Sequence, residues 1–169
     1  LCCVQCVGGD EKAHNGTRDR GHTEARNLCK ILTNPNQRKL FHLGRFDMAA
    51  LENHYGVRTA PIYCTKIASK LVRTYTDRHG LKALLNEMLS VDVSKQQQSS
   101  DWGAPELTKA QLNYAASDVL YLHQLMEKLN INLNREGRME MAQACFDFLP
   151  MRAALDLAGW ADNDIFAHT

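Results

Sequence analysis

Apolar positions along the chain switch between short continuous runs and stretches with helical spacing. Leu1-Cys2-Cys3-Val4-Gln5-Cys6-Val7 is apolar and β-prone from its first residue. Lys39-Leu40-Phe41-His42-Leu43 and Pro61-Ile62-Tyr63-Cys64-Thr65 suit buried strands. Helical spacing starts near Thr23, the expected N-cap, and continues through Leu28, Ile31 and Leu32 until Asn34-Pro35 stops it. A second helix is expected over residues 45–54, ended by Gly56, and a third over 66–75 with Ile67, Leu71 and Val72 on its apolar side. Past a turn at His79-Gly80, the residues Leu81, Leu84, Leu85, Met88 and Leu89 repeat at helical spacing. Leu107-Thr108-Lys109-Ala110 opens one long helix with Leu112, Ala115, Val119, Leu122, Met126 and Leu129 in a single stripe. A last helix is expected over 138–148, broken at Pro150.

Two stretches carry neither period. Residues 8–22 are glycine-rich and charged and read as a loop, and residues 93–102, polar except for Trp102, read as an exposed or ligand-facing loop. The alternation of strands and helices predicts an α/β domain in which helical crossovers join any parallel pairs. Without repeat or linker, residues 1–169 read as one domain.

Composition narrows the classes. A chain of 169 residues, 44% hydrophobic and 23% charged, is long enough to bury a core and falls in the ordinary range of soluble proteins. No apolar run is long enough to span a bilayer. A net charge of +1 gives no global field for phosphates, so nucleic-acid binding would need a local basic groove. Six cysteines and no signal-peptide pattern indicate a reducing, cytoplasmic setting. Cys3 and Cys6 form a C-x-x-C, but on a strand residues three apart face opposite ways. With only His14 and His22 nearby, buried thiols are the simpler reading than zinc.

Candidate chemistry lies at two places. Tyr114 and Asp118 are four apart on the long helix and share a face beside its stripe, where an acid could bind a metal; a surface aspartate beside a half-buried tyrosine is the plainer alternative. Asp47 opens the helix after the strand at 39–43, where α/β proteins place ligand-binding groups and where an acid also stabilises a helix end.

Read with their neighbours, these residues resemble the tyrosine-containing branch of the DEDD exonuclease superfamily, which includes ribonuclease D. Residues 40–51, LFHLGRFDMAAL, are similar to its second motif, and residues 114–122, YAASDVLYL, to its third. Residues 65–82, 94–102 and 155–169 are similar to the nano-RNase C group. The resemblance implies a ribonuclease H-like exonuclease fold, a central mixed sheet flanked by helices. It also implies a metal-dependent 3′-5′ exoribonuclease that hydrolyses dinucleotides and other short oligonucleotides to nucleoside 5′-monophosphates. Two divalent cations, Mg²⁺ or Mn²⁺, would be held by Asp118 and Asp47, and Tyr114 would orient the attacking water.

The family's first motif, an Asp-x-Glu on the first strand, has no counterpart, since Asp10 and Glu11 lie downstream with the wrong spacing. The chain is therefore expected to be an N-terminally incomplete piece lacking its first strand and to have little activity by itself. An upstream Asp-x-Glu would restore cleavage.

Substrate contacts are expected from Arg45, Lys66, Lys70, Arg73, His79, Lys95, Gln98 and Trp102, the tryptophan by base stacking. A solvated basic face and a core tryptophan are the alternatives. Partners would be short single-stranded RNA or dinucleotides, with DNA left open. The resemblance also implies a homo-oligomeric ring, an octamer, with Phe146, Phe148, Leu149, Leu155, Leu157 and Trp160 as contact candidates. A non-catalytic nucleic-acid-binding or oligomer-forming relative is the competing reading.

Overall fold

The computed structural model describes residues 5–7, 13–15, 25–93, 97, 99–102, 104 and 106–168. Among these residues, four strands and seven α-helices follow in the order β1 (Gln5–Val7), β2 (Ala13–Asn15), α1 (Arg26–Thr33), β3 (Lys39–Phe41), α2 (Gly44–Tyr55), β4 (Ile62–Cys64), α3 (Thr65–Val72), α4 (Leu81–Leu89), α5 (Lys109–Leu120), α6 (Leu122–Arg135) and α7 (Met139–Leu155). A π-turn over Asp156–Trp160 closes the last helix.

Strands β3 and β4 pair in parallel, Leu40 opposite Tyr63, with α2 as their crossover. The apolar run 61–65 places Ile62, Tyr63 and Cys64 all in the interior, as expected of a strand covered on both faces. Around it close Met48 of α2, Ala68 and Val72 of α3, Leu84 and Leu85 of α4, Leu125, Leu129 and Leu133 of α6, and Phe146 and Leu149 of α7, in one core. The Tyr63 and Phe146 rings meet at 4.5 Å.

The expected α/β architecture holds, with the described strands in two two-stranded sheets, β1–β2 antiparallel and β3–β4 parallel. Several expectations are corrected. The stretch read as a loop over 8–22 contains β2, which pairs with β1 through Cys6 and His14. Ala-His-Asn has no alternation to announce a strand, and its hydrogen bonds come from a partner rather than from local preference. Thr23 lies outside the described residues, and Ala25 precedes the first helix.

The single long helix is two. At Tyr121, φ −99° and ψ 1°, the chain breaks between α5, which packs on β1 and β2, and α6, which packs on α3 and α4. Different partners require different axes, which a continuous stripe cannot reveal. Pro150 does not end α7: it removes one N–H, while burial of Phe146, Leu149, Pro150 and Ala153 holds the helix through Leu155. Of the proposed contact residues, Phe146 and Leu149 are core, 1% and 6% exposed, whereas Phe148, Leu157 and Trp160 face solvent. No described helix is long and apolar enough to cross a membrane.

Candidate active site

Strand β3 ends at Phe41 and α2 begins at Gly44, so His42 and Leu43 alone make the turn. Leu43 adopts a left-handed conformation, φ 66° and ψ 39°, which costs a non-glycine residue about 1 kcal/mol. A Cβ on Gly44 would lie 2.9 Å from the Phe41 Cβ, so only glycine permits this approach of helix to strand. The tight junction sets Asp47 in the first turn of α2, beyond the C-terminal end of a parallel strand, where ligands bind in α/β folds. Gly44→Ala is expected to cost about 1–3 kcal/mol in denaturant unfolding, because Phe41 must yield in a packed site, and to tilt Asp47 away.

The second acid comes from the other side. Helix α5 starts at a capping box in which the Gln111 backbone N–H donates to Thr108 Oγ1 at 3.2 Å and the Thr108 N–H to Gln111 Oε1 at 2.8 Å. Gln111, 5% exposed, also donates from Nε2 to the Asp101 carbonyl at 2.9 Å, tying the 93–102 loop to the helix. Beside that tie the Trp102 ring lies 5.9 Å from the Tyr114 ring, tilted by 46°.

The Asp118 charge reaches both Asp47 and Tyr114. Although Asp47 keeps accessible surface, the surrounding protein and then the Asp118 charge push its pKa up to about 6. Burial pushes half-buried Asp118 up to about 6 as well. The Tyr114 phenol is raised by burial and then by Asp118, so it keeps its proton at neutral pH. Two carboxyls held together against desolvation and mutual repulsion make a site that favours a cation.

Oxygen donors of this kind suit a hard divalent ion. Among the described residues no three His, Cys, Asp or Glu side chains converge, so water and phosphate oxygens would complete the shell around Asp47 and Asp118, as Mg²⁺ accepts.

The expected phosphate contacts separate. Arg73, 3% exposed, is consumed inside the protein: it pairs with Glu87 through Nε and Nη2 and donates to the Arg78 carbonyl at 2.7 Å. Arg45 donates to both carboxylate oxygens of Asp156, at 2.6 and 2.8 Å, and to the Ala161 carbonyl at 2.7 Å. Because Asp156 also pairs with Arg152 at 3.0 Å, Arg45 fastens α2 to the C-terminal segment. His79 hydrogen-bonds Ser69 at 2.8 Å, and burial, Arg73 and Lys70 hold it below the usual histidine range. Lys66 and Lys70 stay on α3, Lys70 exposed and Lys66 close enough to His42 to depress its pKa. Lys95 and Gln98 lie outside the described residues.

Sequence reading missed His42 and Gln111. The signal for His42 is a lone polar residue inside an apolar strand run; for Gln111 it is the Thr-x-x-Gln spacing at a helix start.

Two acids and a tyrosine, Asp47 beyond the end of a parallel strand and the other two on α5, are residue types that phosphodiester-cleaving sites use. Residues 1–134 match the family model described as 3′-5′ exonuclease, and the chain belongs to that family. Ribonuclease D of Acidiphilium cryptum is 32% identical over 140 residues, 83% of this chain and 35% of the relative. The chain thus spans about a third of the length of that curated relative. Brucella melitensis NrnC bound to pGG is 54% identical, with a TM-score of 0.95 over 100% of this chain and 82% of that one; its form with bound Mg²⁺ is 53% identical, with a TM-score of 0.94 over the same shares. Escherichia coli RNase D is 27% identical with a TM-score of 0.80, covering 96% of this chain and 43% of that one. The fold is therefore the ribonuclease H-like exonuclease fold.

Proposed function

We propose that this protein removes nucleotides from the 3′ end of short RNA, dinucleotides included, releasing nucleoside 5′-monophosphates. The observation that carries the reading is the pair Asp47 and Asp118, both raised by burial and Asp47 also by the Asp118 charge, with the protonated Tyr114 hydroxyl within reach of Asp118. Support for a short substrate comes from the similar Brucella melitensis NrnC bound to pGG, and support for a metal from its form with bound Mg²⁺.

In this reading Asp118 is a direct ligand and Asp47 binds the second ion directly or through water. Bound Mg²⁺ or Mn²⁺ would neutralise charge on the attacked phosphate and the leaving 3′ oxygen and make water a better nucleophile. Tyr114 holds the attacking water by its hydroxyl, and the ring of Trp102 next to it offers a face for a base. The water oxygen bonds to phosphorus as the bond to the 3′ oxygen breaks, and the 3′ oxygen takes up a proton. The family pattern adds an Asp-x-Glu pair to the ligand set, so the assay uses the native full-length protein. Assembly into a ring belongs to the same proposal, with Phe148, Leu157 and Trp160 available on the surface.

With about 5 mM Mn²⁺ or Mg²⁺, 5′-phosphorylated diribonucleotides should yield mononucleotides, and EDTA should stop the reaction. Binding of oligonucleotide that ignores metal, without cleavage, would establish the non-catalytic alternative. Light scattering on the same sample tests the ring, which a monomer would remove.

A further inference from the structure

We propose that His42 accepts a hydrogen bond through Nε2 from a sugar hydroxyl of the nucleotide bound beside Asp47, making it a substrate-recognition residue of the exonuclease site. The proposal rests on the exonuclease reading and adds a specificity contact to it.

The tautomer follows from two distances. His42 Nδ1 lies 2.9 Å from Thr65 Oγ1, and that same oxygen lies 3.2 Å from the Phe41 carbonyl. A carbonyl only accepts, so the single hydroxyl proton of Thr65 goes to Phe41, and both bonds form only when Nδ1 carries the proton it shares with Thr65. A neutral ring protonated at Nδ1 has its lone pair on Nε2. Burial first, and then the Lys66 charge, push the histidine pKa down to about 4, so the ring stays neutral at physiological pH.

Nε2 is available. Among the described residues, Nδ1 is the one His42 ring nitrogen with a hydrogen-bond partner. Among the described residues the buried side-chain polar atoms that lack partners are Thr59 Oγ1, the Tyr63 hydroxyl and Asn130 Oδ1; Nε2 of the half-buried His42 is not one of them. Its position is that of a ligand contact, because His42 and Thr65 directly follow Phe41 and Cys64, the paired last residues of the parallel strands. An external partner must donate. Phosphate oxygens of a nucleotide accept, and base donors differ from one base to the next. The sugar hydroxyls are the donors every ribonucleotide shares, and Lys66 beside the ring supplies a cation for the adjoining phosphate.

A thermodynamic cycle on the native protein tests this, with kcat/KM measured on diribonucleotides and on analogues whose 3′-terminal nucleotide lacks the 2′ or the 3′ hydroxyl. The wild type should lose about 10-fold or more on one analogue. His42→Phe, which keeps a flat ring but no acceptor, should lose a similar factor on the all-ribo substrate and nothing further on that analogue. His42→Gln, which restores an acceptor oxygen, should recover part of the loss. Which analogue responds identifies the hydroxyl. Losses that multiply for both analogues, with a native melting curve for His42→Phe, overturn the proposal while leaving the exonuclease intact. A wild type that cleaves no substrate overturns the exonuclease reading instead.

Discussion

Asp118→Asn in the native protein is expected to lower dinucleotide hydrolysis on the order of a thousand-fold at saturating Mg²⁺ or Mn²⁺, with the fold unchanged. Asparagine keeps the shape and one oxygen but removes the charge, and with it half of the Asp47–Asp118 pair that carries the proposed function. Steady-state kinetics with a metal titration measure the loss. Because binding needs ionised carboxylates, the apparent metal affinity of the wild type should also fall as pH drops below about 6, where both acids take up protons. Full activity in Asp118→Asn would end the assignment.

The same substitution should make the metal-free protein more stable. Folding moves the Asp118 carboxyl from 3.8 to about 6, so the folded state favours the protonated form. The stability this gives is complete below the unfolded value and is lost as pH rises through the folded one, leaving the apo protein weaker above about pH 6. A displacement of that size corresponds to about 3 kcal/mol, reduced by solvent and by relaxation of the neighbouring Asp47. Accordingly, Asp118→Asn is expected to raise unfolding free energy at about pH 7.5 by about 1–3 kcal/mol in EDTA, and to flatten the wild-type decline between about pH 4 and 7. Saturating metal should reverse the ranking, because only the wild type gains from the ion. Urea unfolding across pH, with and without Mg²⁺, reads all of this; a wild type at least as stable as the variant in EDTA at neutral pH would show that the carboxyl is not strained.

The spacing of Tyr114 and Asp118, the place of Asp47 after an apolar run, and the helices over 81–89 and 44–55 are local patterns, set by side chains within a turn or two of each other. They were legible for that reason. The glycine at 56 even marked the observed left-handed helix end, φ 67°.

What stayed hidden depends on partners distant in sequence. Local charge marked Arg45 and Arg73 as phosphate ligands, yet one is occupied by Asp156, 111 residues away, and the other by Glu87 across a turn. The break at Tyr121 follows from α5 and α6 packing on different neighbours, and β2 exists because β1 supplies its ladder. By itself, then, the sequence determined the strand and helix rhythm around β3, α2 and β4 and marked Asp47 and Asp118 as candidate acids, because these rest on short-range periodicity and residue chemistry. Only the tertiary structure decided that the Asp118 charge reaches Asp47, that Arg45 and Arg73 are already paired, and that Thr65 holds His42 by Nδ1, because each is a contact between segments that the chain keeps apart.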